Sequence, residues 1–197
     1  MPRTPRIIIE NTPHHVTQRG NNQQDIFLDD QDRLYFLHEL KAQCLAFNIS
    51  VQGYCLMTNH IHLIVTPCNK ETFPKAFNKI HTHYANHFNQ KYNRNGHLWQ
   101  GRYFSCPLDQ YHFFKALQYI EYNPVSANIV THACDYPWSS AYAHVNNLDK
   151  SGLLDLPWWQ SKSQSLHWQS TLQTQQDKTI IDSLRTNVRK GIPLIKD

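Results

Sequence analysis

The chain has 197 residues, of which 40% are hydrophobic and 17% charged, and its formal net charge at pH 7 is +4. This apolar share supports a packed core and excludes a wholly disordered chain, and the length favours one domain with an extension. The 5 cysteines lack a Cys-x-x-Cys spacing, which argues against a zinc knuckle or a disulfide framework. No apolar run reaches membrane length and no N-terminal signal core is present, so the sequence predicts a cytoplasmic protein.

Alternation and helical spacing predict elements in the order strand, helix, strand, strand, helix, strand, helix. They span, in chain order, residues 14–19, 29–47, 49–57, 60–67, 73–92, 99–106 and 109–122. The segment 99–106 is either one short strand or a pair of extended segments. Asn123-Pro124 is predicted to end the last helix, because the residue before a proline avoids helical geometry. The order predicts an α+β fold with helices packed on an antiparallel sheet and strand 60–67 at its centre.

The composition changes at about Val145, where Gln, Ser, Asn and Lys become frequent. We therefore predict a domain over residues 1–144 and a C-terminal extension over residues 145–197, part helix and part loose tail. Trp158, Trp159 and Trp168 are its isolated apolar anchors.

Two histidines, His60 and His62, interrupt the apolar run of the predicted central strand. Side chains of a strand alternate between its faces, so the two imidazoles share one face while Ile61 and Leu63 occupy the other. Titratable residues within a core strand reduce stability, which indicates a site. Two adjacent imidazoles can hold one divalent metal ion, although a His-x-His pair also occurs without a function.

The last predicted helix places Tyr119 and Asn123 four residues apart, hence on one face, with Lys115 one turn earlier. The phenol could attack a phosphate, the Asn123 amide oxygen could complete a metal shell, and Lys115 could hold a phosphate. Nitrogen and oxygen ligands of this kind suit Mg²⁺ or Mn²⁺. The structural alternative is that the tyrosine packs the helix against the sheet.

No acidic residue occurs between Glu71 and Asp109, a stretch in which lysines, arginines and histidines alternate with aromatic residues. Cations suit phosphates and exposed bases stack on aromatic rings, so this stretch favours a nucleic-acid partner. A solvated basic face is the alternative. The candidate DNA contacts of the chain are Arg19, Asn21, Lys79, Arg94, Arg102 and Lys115.

Several of these residues lie in motifs that resemble those of the REP-associated tyrosine transposases, which belong to the single-tyrosine HUH transposases. The resemblance covers roughly residues 10–142. It is carried, in order, by residues 14–22, by MTNHIHLIV at 57–65, by GHLWQGRY at 96–103, by YIEYNPV at 119–125 and by YPWSS at 136–140.

The resemblance implies the HUH endonuclease fold, a ferredoxin-like antiparallel sheet with packed helices. It implies that His60 and His62 bind a divalent metal, Mg²⁺ or Mn²⁺, and that Asn123 stands where related enzymes place a glutamine ligand. Tyr119 becomes the nucleophile, which cleaves single-stranded DNA, forms a 5′-phosphotyrosine and frees a 3′-hydroxyl. Tyr122 is the rival nucleophile, about 300° around the helix from Tyr119.

The implied partner is single-stranded or hairpin DNA of the repetitive extragenic palindrome kind, and the protein is expected to associate with the nucleoid as a monomer or homodimer. Two other functions stay open at this point. One is a domesticated hairpin-DNA-binding protein that no longer cleaves. The other is a small metallohydrolase acting on a soluble substrate, which would need a third strong ligand beside His60 and His62.

Overall fold

The first part of the chain folds into a β-α-β-β-α-β unit, and the computed structural model describes residues 6–163, 166–174 and 176–195. The unit comprises β1 (His14–Arg19), α1 (Asp30–Ala46), β2 (Ile49–Met57), β3 (His60–Pro67), α2 (Thr72–Lys91) and β4 (Phe104–Pro107). The strands form one antiparallel sheet in the order β2-β3-β1-β4. This order is that of ferredoxin-like folds, so the predicted α+β class and the interior position of strand 60–67 are confirmed.

The two faces of the sheet carry different side chains, as alternation requires. On one face, Val16, Ile61 and Leu63 are fully buried against the apolar residues of α1 and α2. The opposite face carries Ile64 together with the side chains of His60 and His62, and it packs against α3 (Gln110–Ser126). The sheet therefore separates an apolar layer from a layer that contains the candidate site.

Helix α3 begins where the sequence predicts, since the Asp109 side chain accepts a hydrogen bond of 2.7 Å from the His112 backbone. The predicted end at Asn123-Pro124 is wrong, because the helix continues through Pro124 to Ser126. A proline inside a helix removes one backbone hydrogen bond, at a cost of about 3 kcal/mol. Burial of α3 on several sides, including Pro124 itself, offsets this cost, and local preference does not decide where the helix ends.

Four further α-helices follow α3 within the described residues: α4 (Ala141–Asn146), α5 (Leu156–Ser163), α6 (Trp168–Gln173) and α7 (Lys178–Lys190). Trp159 and Trp168 are buried in the same apolar cluster as α3, so they are not isolated anchors. For the described part of the extension, the predicted loose tail is wrong. The domain boundary at 144/145 stays a prediction, although residues on both sides of it share this core.

No helix in the described part of the chain has both the length and the apolar character needed to cross a membrane.

Candidate active site

An open cleft of about 1170 Å³ lies on the histidine-bearing side of the sheet, where β1, β3 and β4 meet α3 and α7. We call it the basic cleft. Strand pairing builds its floor, because Arg19 of β1 lies opposite His60 of β3, and Thr17 lies opposite His62. Since paired residues of adjacent strands point to the same face, these four side chains all line the cleft.

The two predicted ligands, His60 and His62, lie with their ring centroids 5.0 Å apart. The Asn59 side-chain oxygen accepts a hydrogen bond of 2.7 Å from Nδ1 of His60, which leaves Nε2 of His60 as the ring atom with a lone pair. Nδ1 of His62 lies 3.0 Å from Nε2 of His15, a buried residue of β1. Each imidazole is therefore oriented through Nδ1, and neither Nε2 has a hydrogen-bond partner among the described residues.

Burial keeps these histidines neutral. Desolvation, followed by the charges of Arg19 and Arg185, lowers the pKa of His60 to about 4. Desolvation lowers the pKa of His15 to about 4 as well, and it lowers the pKa of His62 well below its ordinary value. A metal ion binds the neutral imidazole, so these histidines have the charge state that ligation requires at neutral pH.

Tyr119 projects from α3 onto the histidines. Its ring centroid lies 5.5 Å from that of His62 and 6.1 Å from that of His15. Its side chain is mostly buried, with 9% of its surface exposed, yet it lines the basic cleft. The Tyr119 hydroxyl accepts a hydrogen bond of 3.2 Å from Nε of Arg185, a residue of α7. The phenol oxygen thus faces the cleft from the same chain that supplies the histidine pair.

Asn123, one turn after Tyr119, also lines the cleft, and its Nδ2 is buried without a hydrogen-bond partner. Amide nitrogen and oxygen positions are interchangeable by a flip, so the same side chain can present its oxygen. Two imidazole nitrogens and one amide oxygen then form a donor set that suits Mg²⁺ or Mn²⁺. No group of three or more His, Cys, Asp or Glu side chains in the described ranges is arranged to hold a metal ion.

The cleft is strongly positive. It is lined by six lysine and arginine side chains, namely Arg6, Arg19, Arg102, Arg185, Arg189 and Lys190. Among the described residues that line it, none is an aspartate or a glutamate. A cleft walled by one sign of charge concentrates ligands of the opposite sign, so a polyanion is the fitting occupant.

Comparison with known proteins assigns the chain to a family. The family model described as "Transposase IS200 like" matches residues 9–123, which include His60, His62 and Tyr119. The chain belongs to the IS200-like transposase family. The predicted resemblance is thus confirmed, and the match ends before α4.

Two further comparisons agree with the family assignment. A Haemophilus influenzae protein described as "Putative REP-associated tyrosine transposase" is 27% identical over 139 residues, which covers 61% of this chain and 78% of that protein. A solved structure described as a REP-associated tyrosine transposase bound to a REP hairpin superposes with a TM-score of 0.63 at 19% identity, covering 80% of this chain and 91% of that one. At that identity the likeness shows the fold.

The predicted DNA contacts of this IS200-like protein lie at different places. Arg19 and Arg102 line the basic cleft. Asn21 is exposed in the turn after β1, where its backbone amide bonds to Leu98. The other three lie outside the cleft: Lys79 is on α2 with Nζ 5.1 Å from the Phe47 ring, Arg94 bonds to the Gln24 side chain, and Lys115 has Nζ 5.7 Å from the Tyr111 ring. All six stay predictions.

Tyr122, the rival nucleophile, does not share the cleft with Tyr119. It lines a separate, smaller pocket of about 460 Å³ together with Val125, His132 and residues of α6. Tyr119 and Tyr122 therefore face different surroundings, and of these two tyrosines Tyr119 is the one that lies against the histidine pair.

Sequence reasoning missed His15 and Arg185. His15 follows the alternation of β1 and shares a face with Thr17 and Arg19, so its role was readable only once β1 was known to pair with β3. For Arg185, the extension carries no motif signal, and its contact with Tyr119 spans 66 positions of the sequence.

Proposed function

We propose that the protein is a metal-dependent endonuclease and strand transferase for single-stranded, hairpin-containing DNA, acting through Tyr119. The observation that carries the proposal is the convergence of Tyr119 with His60 and His62 on the floor of the basic cleft, where every charged side chain among the described lining residues is cationic. A phenol, two neutral imidazoles and a polyanion-binding surface are the parts that phosphodiester transfer by a tyrosine requires.

The choice of DNA as substrate is supported by the charge of the cleft and by the relatives. Each phosphate of a bound strand can meet one of the arginine or lysine side chains, whereas a small neutral substrate would use none of them. The solved structure with the same fold is described as bound to a REP hairpin, which supports hairpin DNA for this chain. This charge pattern favours a nuclease over a metallohydrolase of soluble substrates.

In the proposed reaction, the Tyr119 hydroxyl oxygen attacks the scissile phosphorus. A bond forms between this oxygen and phosphorus, and the bond from phosphorus to the 3′ oxygen breaks. The phenolic proton passes to water in the open cleft, and the leaving 3′ oxygen takes up a proton to give a 3′-hydroxyl. The resulting 5′-phosphotyrosine retains the phosphodiester energy, so a second 3′-hydroxyl can reverse the step on another strand.

The residues that would hold the metal are His60 and His62 through Nε2, with Asn123 contributing its amide oxygen after a flip. A divalent cation bound there would polarise the scissile phosphate as a Lewis acid. Asn59 holds the His60 ring in place, and His15 holds the His62 ring, in each case through Nδ1 of the ligand imidazole. Because the nucleophile and the histidines converge within one chain, we propose that cleavage occurs in cis, within a monomer or within each subunit of a homodimer.

The test is covalent capture of DNA. A hairpin oligonucleotide with an unpaired flank is labelled at its 3′ end and incubated with the protein and Mn²⁺ or Mg²⁺. We expect the label to become attached to the protein, because a 5′-phosphotyrosine retains the 3′ fragment. A label at the 5′ end should instead leave on a free fragment with a 3′-hydroxyl.

Two matched variants assign the nucleophile. Tyr119→Phe should abolish the adduct while retaining DNA binding, and Tyr122→Phe, on the same helix, should form it. An adduct that survives in Tyr119→Phe contradicts the assignment. DNA binding without an adduct in the unmodified protein, with either metal, supports the non-cleaving hairpin binder instead.

A further inference from the structure

The C-terminal helix α7 places the guanidinium group of Arg185 beside the proposed nucleophile. This helix lies outside residues 9–123, which the family model matches. Leu184 and Val188 anchor the helix, since both are buried in the core cluster around α3. Arg185 lies between them in sequence and projects into the basic cleft. The packing of α7 therefore fixes the position from which this side chain reaches Tyr119.

The contact itself is specific. Nε of Arg185 donates to the Tyr119 hydroxyl over 3.2 Å, and its guanidinium carbon lies 5.6 Å from the centroid of the same ring. The hydrogen bond with Tyr119 raises the pKa of Arg185, so the group stays cationic throughout the working pH range.

The remaining donors of Arg185 are available. Within the described ranges, its terminal nitrogens have no hydrogen-bond partner and no carboxylate lies within ion-pair distance, with Asp182 the one acidic side chain that influences it electrostatically. A guanidinium presents its N–H groups in a rigid planar fork that matches two phosphate oxygens.

We propose that Arg185 is a catalytic residue, which bridges the attacking Tyr119 oxygen and the non-bridging oxygens of the scissile phosphate. The inference rests on the proposed function. Its Nε–H would hold the nucleophile, and its terminal N–H groups would hold the phosphate beside it. As the bond from Tyr119 to phosphorus forms and the bond to the 3′ oxygen breaks, negative charge grows on the phosphate oxygens, where a fixed cation is most effective.

The guanidinium neither takes nor gives a proton in this step, because it remains protonated at any working pH. Its contribution is to position two reacting groups and to stabilise charge in the transition state. The expected role of Arg185 differs from that of Arg189. Arg189 lies one turn further on the same face of α7 and lines the same cleft, but it makes no contact with Tyr119 in the structure.

The experiment compares Arg185→Gln with Arg189→Gln, since each removes one positive charge from the same helix. Hairpin-DNA affinity is measured without metal, and the rate of adduct formation is measured at saturating DNA with Mn²⁺. For Arg185→Gln we expect the saturated rate to fall by roughly 100-fold or more, with only a several-fold loss of affinity. Arg189→Gln should show the reverse split, with weaker DNA binding and a nearly unchanged saturated rate.

Rescue tests the chemistry of the bridge. Arg185→Lys retains the charge but loses the fork, so it should recover only part of the rate. In Arg185→Ala, added guanidinium ion should restore adduct formation more than methylammonium at the same ionic strength. Arg185 is exposed, so these variants should fold, and thermal unfolding checks this.

A spectroscopic readout is independent of catalysis. In DNA-free protein, the ¹⁵Nε resonance of Arg185 should shift when Tyr119 is replaced by Phe, because the hydrogen bond is lost. An unmoved resonance would contradict the contact.

Equal effects of Arg185→Gln and Arg189→Gln on affinity and on rate would overturn the proposal, since both would then act only as cations for DNA. Failure of the proposed function has a different signature, namely an adduct that persists in Tyr119→Phe or that never forms in the unmodified protein.

Discussion

His15 determines which nitrogen of His62 can face a metal ion. Its Nε2 lies 3.0 Å from Nδ1 of His62, and only one of these atoms can carry the shared proton. If His62 donates, its own Nε2 has a free lone pair directed toward the cleft; if His15 donates, that Nε2 carries a proton and cannot ligate. Metal binding therefore requires the tautomer in which His62 donates and His15 accepts.

We expect His15→Phe to weaken Mn²⁺ binding by roughly 10-fold to 100-fold, the usual effect of removing a residue that orients a metal ligand. Titration calorimetry without DNA measures this directly. His14→Phe is the matched control, because His14 precedes His15 on β1 but faces the other layer, with its ring centroid 5.4 Å from that of Phe73. Equal loss of affinity in both variants would contradict a specific role for His15.

At the scale of elements, Glu121 joins α3 to the helices that follow it. Its buried carboxylate accepts hydrogen bonds from Ser140, from Nδ1 of His144 at 2.6 Å and from Nε1 of Trp168 at 2.8 Å. Such a carboxylate avoids the large penalty of burial only because three donors satisfy it. The position of α3, and with it that of Tyr119, depends on this arrangement.

Glu121→Gln should lower the free energy of unfolding by about 1–3 kcal/mol, because the amide group places a donor where Trp168, Ser140 or His144 already donates. For a chain of this size, that corresponds to a fall in melting temperature of roughly 2–4 °C per kcal/mol. Glu71→Gln, at an exposed carboxylate before α2, should change the stability by less than about 0.5 kcal/mol. Calorimetric unfolding of the two variants distinguishes these outcomes, and a Glu121→Gln protein as stable as the parent would contradict the coupling.

The elements also show which parts of the fold are readable from sequence. The predicted bounds of β1, β2 and β3 agree with those observed, because each strand is a short run that ends at a turn or a proline. The end of α3 could not be predicted, because burial contributed by distant helices overrides the local effect of Pro124. The segment over 99–106 was readable only in part, since Trp99 makes an isolated bridge to Gly20 and regular pairing begins at Phe104.

The candidate site divides in the same way. His60, His62 and Tyr119 were found because each lies in a local pattern with chemical meaning. Arg185 and His15 contribute through pairings between distant parts of the chain, at separations of 66 and 47 residues. A single sequence does not encode those pairings in any local spacing, so the fold itself had to be known.

At the scale of the whole molecule, buried histidines make stability depend on pH. Burial lowers the pKa of His14 to about 4 and that of His81 to about 3, although the unfolded value is 6.5. Below pH 6.5 the unfolded chain takes up protons that the folded chain refuses, so the free energy of unfolding falls as the pH drops from 6.5 toward 4. This contribution to the free energy of unfolding is retained well above pH 6.5, where the imidazoles are neutral in both states.

His81→Phe tests this dependence away from the cleft floor. The His81 ring packs against Phe77 and Trp99, and its Nε2 is buried without a partner in the described structure, so an apolar ring suits the position. At pH 5, each such histidine should lower the stability by roughly 2 kcal/mol relative to pH 7.5. The difference in unfolding free energy between variant and parent should therefore shift in favour of the variant by about 2 kcal/mol between these two pH values. Urea unfolding at both pH values measures that shift, and His97→Gln, at an exposed histidine, is the reference variant. If His81→Phe and the parent showed the same pH dependence, burial of this imidazole would not control acid stability.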